Sequence, residues 1–442
     1  MSALKVAGLS NTAPYFPAQL LSPVADAGAS VNLTNLASGT LPLNYQWLFN
    51  GAPMSNATNA ILSIANAQAT NTGDYSVIAT NSSGIATSSV VSVIIYPPQA
   101  TVFSDDFETN SAANWIVNNS SSNNAVGFSF DYSTLGIPSA PHSTGGTTHG
   151  VQMKANLTLG VCAALSISPT EQIFNGDYRL HFDGWINVNG PFPGGGTGST
   201  EFLTAGIGTA GNRSEWPTNA NADGHYFSVD GDGGVSSSSP TFGDYSGYTG
   251  KNWHNAASGI YAAGSLDNAN TYYSSLFPSG QAAPALQQAD FAQQTGSLNS
   301  GTFGLAWHDV IVSKRGSTVD WVIDGVRIAT ITNASFTASN VFVGFWDPFA
   351  SLSDNNTLSF GLVDNVRVEV PALAPVLDLQ PGATFRLMGS GQTGATYILE
   401  TSTDLTDWTT LTSLTATNRA FEYNFIPPAG DAQHFFRARL GP

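Results

Sequence analysis

The stretch NRSEWPTNANADGHY (212–226) gathers Glu215, Asp223 and His225 close to Asp230 in the chain. A histidine between carboxylates, with Tyr226 beside it, is suited to proton abstraction by a paired base and acid. Glycoside hydrolysis by the common route needs two carboxylates roughly 5–10 Å apart, and Glu215, Asp223 and His225 are the catalytic candidates for a glycan-active enzyme. Aromatic residues are dense around them, and Trp216, Tyr245, Tyr248 and Trp253 lie among Asn, Asp and His. A flat ring covers the apolar C–H face of a pyranose while amides and carboxylates take its hydroxyls, so these four are candidate glycan-binding residues. Any single one can equally serve to pack the segment that carries it. His142 and His149 flank a Gly-Gly turn in PHSTGGTTHG, a spacing too loose for a helix-borne metal pair. SVDGDGGVSS (228–237) opens like a calcium loop but lacks the distal Glu and reads as a polar turn. No G-x-S-x-G elbow or phosphate-binding loop occurs.

These residues must be positioned by short strands. Only 10% of the chain is Asp, Glu, Lys or Arg, against about 25% in typical soluble proteins. Asn, Ser, Thr and Gly fill the surface instead, a composition suited to strands and turns. The net charge of −17 excludes a nucleic-acid partner, whose phosphates need a basic surface. It also disfavours an anionic membrane face, and no run approaches the roughly 18 apolar residues of a membrane span. An acidic surface suits divalent cations, Ca²⁺ above all, or simply keeps the chain in solution. The lone Cys162 lies in the apolar run LGVCAALSI and reads as a buried small hydrophobe. The N-terminus, MSALKVAGLSNTAPYF, lacks the apolar core of a signal peptide. A trimmed product given a new Met is the expectation.

The clearest local pattern is WHDVIVSKRGSTVDWVIDGVRIATI (307–331). Val319, Trp321 and Ile323 alternate with Asp320 and Val322, and Asp324-Gly325 follows at the spacing of a two-residue hairpin turn. The stretch therefore predicts a three-strand antiparallel meander. Proline-rich joints, YPPQA (96–100) and VPALAPV (370–376), divide the chain. The predicted organisation is an N-terminal extension (1–14), a first sandwich (15–97), a central sandwich (98–371) and a C-terminal sandwich (372–442). The fold class is all-β, with three β-sandwich modules in tandem.

The first module resembles an immunoglobulin-like domain. Trp47 in NYQWLFNG matches the strand-C tryptophan and Tyr75 in GDYSVIATN the tyrosine corner. Leu33 and Val77 stand where that family's bridging cysteines would be, and Asn71 replaces the usual Asp. Disulfide-free forms of this kind are frequent in modular surface proteins of bacteria. The third module, with TYILETSTDLTDWTTL, looks like a fibronectin-III-like cap. The two ends of the central module, VFSDDFETNSAANWIV and LSFGLVDNVRVEV, with the meander between them, resemble concanavalin-like or laminin-G-like jelly rolls. The glycine-rich middle (187–301) then reads as a large loop insertion with a short helix around APALQQADFAQQ.

That resemblance implies a structural Ca²⁺ held where the first and last strands meet, by Asp106, Glu108 and Asp364, with Asp105 alongside. It also implies an extracellular protein, secreted or on the cell surface, that binds a polysaccharide or glycoconjugate. The motif sets of sandwich glucanases and alginate lyases are missing, so binding ranks before catalysis. A glycan hydrolase or lyase, and a self-associating surface-layer, filament or virion subunit, are the alternatives.

Overall fold

A computed structural model describes residues 11–158, 160–235, 242–372, 376–380, 385–390, 396–417, 420–426 and 433–441. Most of the predicted N-terminal extension and the middle of the second proline joint lie outside them. Among the described residues the chain is all-β apart from short helical turns and two six-residue helices, Thr271–Leu276 and Ala285–Asp290. The second helix falls within the predicted APALQQADFAQQ segment. None is long and apolar enough to cross a membrane.

The first sandwich sets a six-stranded sheet against the pair Val31–Thr34 and Ile61–Ile64. Alternation in Val31–Thr34 turns Val31 and Leu33 inward and Asn32 and Thr34 outward. They meet Trp47, which is fully buried and donates its indole N–H to the Asn59 carbonyl at 2.9 Å. Leu33 and Val77 fill the space of a disulfide with apolar side chains in the same core. Tyr75 donates its hydroxyl to the Asn71 carbonyl at 2.9 Å, the corner predicted from its position.

The central sandwich packs an eight-stranded sheet against a seven-stranded one. The meander lies at one edge of the eight-stranded sheet, as strands His308–Arg315, Thr318–Ile323 and Val326–Ile331. Asp324 and Gly325 both take positive φ, 49° and 71°, the backbone that such a two-residue turn demands. Val319, Trp321 and Ile323 face the core between the sheets, while Val322 joins an apolar contact with Val24, Ile94 and Tyr96 of the first sandwich. The architecture is a two-sheet sandwich and is compatible with a jelly roll. The glycine-rich middle is less of a loop than its composition suggests. It supplies Phe202–Thr209, His225–Asp230, Tyr245–Thr249 and Asn252–His254, four strands of the seven-stranded sheet. Glycine sits in these strands because large rings crowd it: a Cβ on Gly206 would come 2.4 Å from Tyr226 Cβ and 2.6 Å from the Phe342 ring.

Cys162 corrects its own prediction. It is exposed at the foot of the Ala163–Pro169 strand, and its thiol donates to the Pro348 carbonyl at 2.9 Å. The apolar run begins to bury only one residue later.

The C-terminal sandwich is built from two three-stranded sheets around Tyr397, Leu399 and Phe421. At the other end, Arg179 of the Tyr178–Asn187 strand ties the first sandwich down. Its guanidinium donates to both Asp26 oxygens at 2.6 and 3.0 Å and to Glu369 at 2.6 Å. The Glu369 side chain is only 11% exposed, and without Arg179 it would keep Arg367 at 3.3 Å and His181 at 3.2 Å but lose its shortest charged hydrogen bond. Arg179→Ala is expected to lower stability by about 1.5–3 kcal/mol in urea unfolding. Asp26→Ala, removing a half-exposed partner, should cost no more than about 1 kcal/mol. Equal losses from the two substitutions would contradict this ranking.

Candidate functional site

The outer face of the seven-stranded sheet collects most of the residues singled out above. Cross-strand register aligns Ser166, Gly344, Thr204, Ser228 and Ser246 in one row across five strands. Directly opposed residues share a face, so this row is a strip of small hydroxyl side chains. On one side of it run Trp346 and Phe202, stacked with centroids 4.3 Å apart. On the other run Phe342, Tyr226, Tyr248 and Trp253, with Tyr226 and Tyr248 stacked at 4.8 Å. Alternation makes the pattern possible: every second residue of these strands belongs to the inter-sheet core and the others to this face.

Glu215 and Trp216 lie over the strip. The Glu215 backbone N–H donates to Ser166 Oγ at 3.0 Å, and its Oε2 accepts the Asp223 N–H at 2.8 Å. Trp216 tilts against Trp346 at 6.5 Å, and Phe242 packs edge-on against Phe202 and Trp346. The face is therefore enclosed. Ser166, Thr204, Ser228 and Ser246 are buried, as are Tyr226 and Tyr248.

Enclosure leaves polar atoms stranded. Ser168 Oγ, Glu215 Oε1, Tyr226 Oη and Trp346 Nε1 are buried and find no hydrogen-bonding partner among the described residues. Each such atom costs about 1–3 kcal/mol, and all four belong to this face or to its cover. Burial pushes the Glu215 carboxyl up to about 9, and the Tyr226 phenol well above its ordinary range, with the neighbouring Tyr248 and Glu215 adding to the latter. At neutral pH Glu215 is thus an uncharged carboxylic acid.

The predicted residues divide by face. Trp216 and Tyr248 join this cluster as buried side chains, and Trp253 is a half-buried member whose indole N–H reaches Ser246 Oγ at 3.4 Å. Tyr245 does not join them. Its strand position turns it inward, where it stacks on Tyr273 at 3.9 Å and donates to the Gly301 carbonyl. With no free ring face it packs the core and offers nothing to a sugar. His225, next to Tyr226, likewise points to the opposite side of the sheet. Its ring nitrogens contact Thr249 Oγ1 and the Ser335 carbonyl, and burial lowers its pKa. The structure therefore brings Glu215 and Asp223 together but separates His225 from them, which removes the proposed base–acid group.

The carboxylates expected to share a cation turn to separate donors. Asp105 accepts the Trp115 indole and the Phe107 N–H, and Glu108 pairs with His149 at 3.3 Å. Buried Asp364 accepts the hydroxyls of Tyr132 and Ser143, both at 3.0 Å. Asp106 lies exposed at an open polar cleft of about 410 Å³ with His142 and Arg367. In the polar turn at 230–234, the Asp230 and Asp232 oxygens accept backbone N–H groups of Gly233 and Gly234. Among the described residues, the group whose ligand atoms do converge is His142, His181 and Asp309. Sequence spacing gave no sign of it, because the three come from separate segments.

Comparison with known proteins bears on the first sandwich. The immunoglobulin I-set domain family matches residues 14–93, under a fifth of the chain. Among solved structures, a chimeric titin Z1Z2 carrying a decorin peptide is 28% identical over 20% of this chain and 97% of its own, with a TM-score of 0.17. Tandem immunoglobulin repeats of Dlar are 24% identical over 19% of this chain and 47% of theirs, at 0.17. Extracellular domains 3–5 of Drosophila OTK are 20% identical over 19% of this chain and 32% of theirs, at 0.18. Comparison with curated proteins finds no match. Residues 14–93 thus form an immunoglobulin-like domain.

The raised Glu215 pKa has a signed consequence. The folded state holds this proton more tightly than the unfolded chain, whose carboxyl titrates near 4.5. The stability it confers is therefore full below that value and is lost progressively as pH rises towards about 9. Glu215→Gln, which stays neutral, should melt higher than the parent at pH 8 and close to it at pH 4. Each 1 kcal/mol of that gap reads as roughly 2–4 °C. A pH-independent gap in melting temperature would refute the assignment.

Proposed function

We propose that the central sandwich is the recognising part of a secreted or cell-surface adhesion-type protein, and that it binds a segment of polysaccharide or glycoconjugate along the hydroxyl strip. The observation that carries this reading is the set of stranded polar atoms on one aromatic-walled face. A sugar hydroxyl both donates and accepts, so a pyranose lying on the strip would meet Tyr226 Oη, Ser168 Oγ, Glu215 Oε1 and the Trp346 N–H. Rings on both sides would cover its C–H surfaces. Entry requires Glu215, Trp216 and Phe242 to move off the face, and the stranded atoms beneath make that cover less stable than its apolar area suggests. In this reading the immunoglobulin-like and C-terminal sandwiches present the central one.

A second reading rests on Glu215 itself. A carboxylic acid kept neutral at pH 7 is the protonation state of a general acid, so a glycan hydrolase or lyase of the sandwich type is the alternative.

The test uses the full chain on a polysaccharide panel, with Ca²⁺ and with chelator, scoring binding and product release together. Tyr226→Phe and Ser168→Ala delete only stranded oxygens, so the fold should melt at or slightly above the parent temperature. Glycan affinity should nevertheless fall about 10-fold, or roughly 1.4 kcal/mol. Binding that is indifferent to both substitutions would sink the strip as the site, and silence across the panel with self-association would favour an assembly subunit. Release of sugar ends would move the weight to Glu215 as an acid, and loss of binding in chelator would bring Ca²⁺ into the site.

A further inference from the structure

The outer face of the eight-stranded sheet carries a different chemistry. His181 and Asp183 are alternate residues of the Tyr178–Asn187 strand and share its outer side. Asp309 lies directly opposite Asp183 on the next strand. The turn at 141–143 lays His142 across them, held by two bonds to Asp183: backbone N–H to Oδ2 at 3.0 Å and Nδ1 to Oδ1 at 2.7 Å. One ligand atom from each of His142, His181 and Asp309 falls within 4.8 Å of the others. His181 Nε2 is in direct contact with Asp309 Oδ1, and the two imidazole centroids are 5.3 Å apart.

Each imidazole has its other nitrogen held by a buried carboxylate. His142 Nδ1 donates to Asp183, which is fully buried and also accepts the Asn365 amide at 2.9 Å. His181 Nδ1 lies 3.2 Å from Glu369 Oε2. A carboxylate behind each histidine is the arrangement that fixes the tautomer and aims the remaining lone pair of a metal-ligating imidazole. We propose that His142, His181 and Asp309 form a binding site for a borderline divalent cation of the zinc type. Two imidazoles and one carboxylate supply three of four tetrahedral ligands, and the fourth position would open to the cleft of about 280 Å³ that all three residues line. A calcium ion is the poorer fit, because it takes six to eight oxygens.

Arg367 is the competing group. Its Nη2 lies 2.6 and 2.9 Å from the two ring nitrogens of His181 and its Nε 3.3 Å from Glu369. Around Asp183, Asp309 and Glu369 two guanidinium groups therefore already gather, Arg367 beside His181 and Arg179 on the far side of Glu369. A metal ion would share the site with the Arg367 guanidinium or displace it.

The proposal stands apart from the strip on the other sheet and is tested without any glycan. Metal-free, untagged full chain is titrated with Zn²⁺ by calorimetry and with Co²⁺ as an absorption probe. One equivalent should bind, and His142→Ala and Asp309→Asn should each weaken it at least 10-fold and abolish the Co²⁺ ligand-field bands. Asp183→Asn, acting through His142, should weaken it about 10–100-fold, whereas Arg367→Met should tighten it. His149→Ala, seven residues away in a separate ion pair with Glu108, should change nothing. Melting curves confirm that each variant is folded, and His142 is exposed enough for its substitution to be tolerated. Absence of saturable uptake, or uptake unchanged in both His142→Ala and Asp309→Asn, overturns the assignment.

Discussion

Asn365 takes a left-handed backbone, φ 51°, in the middle of the twelve-residue Phe360–Pro371 strand. That strand pairs with Tyr178–Asn187 along one edge and with Gln99–Asp105 and His149–Lys154 along the other. The extra residue at the bulge shifts the register, so that Asp183 opposes Asp364 while His181 opposes Arg367. Without it, Asp364 and Arg367, three apart, would point to opposite faces. The bulge instead puts both on the outer face, and the Asn365 amide turns back to Asp183. Arg367 joins the charged cluster on this sheet through that one irregularity, in the strand that also draws the first and last segments of the domain together.

Both central sheets have cover on much of their outer faces as well as their inner ones, and that fits the composition. Ordinarily an antiparallel sheet keeps one face for solvent and alternates apolar with charged residues. Here the outer face of the seven-stranded sheet is covered by Trp216, Phe242 and their segments. The outer face of the eight-stranded sheet is partly covered by the first sandwich, through Val24, Ile94 and Tyr96. Covered faces tolerate hydroxyls, amides and tyrosines more readily than lone charges, which fits a chain only 10% charged. Two of the carboxylates that remain inside are matched by arginines: Asp320 by Arg315, and Glu369 by Arg179.

Local patterns were legible, and register was not. The Asp324-Gly325 turn, the meander and the Trp47 and Tyr75 positions each depend on a few neighbouring residues, and each appears as read. The strands between residues 202 and 254 escaped notice because their glycines yield space to facing rings and so dilute the apolar alternation. Sorting the aromatics needed that same register: Tyr245 and Tyr248 are three apart in one strand and belong to different cores. Grouping Asp105, Asp106, Glu108 and Asp364 assumed that side chains on neighbouring strand ends converge, whereas Trp115, Tyr132, Ser143 and His149 claim three of the four. His142, His181 and Asp309 could not be joined on paper, since pairing between two strands and a turn laid over them creates the group.

The two faces of the central sandwich are therefore specialised in opposite directions. One is nearly uncharged, with aromatic walls and hydroxyl groups; the other concentrates His142, His181, Asp309 and Arg367 beside buried carboxylates. Glu369 links the second face to the rest of the molecule, because one of its oxygens both accepts Arg179 Nε and lies within hydrogen-bonding distance of His181. Arg179 in turn holds Asp26 of the immunoglobulin-like domain. The contact that seats that domain and the shell that orients His181 thus share a carboxylate. The seating of one module and the orientation of His181 in the next meet on one short path of contacts, from Asp26 through Arg179 to Glu369.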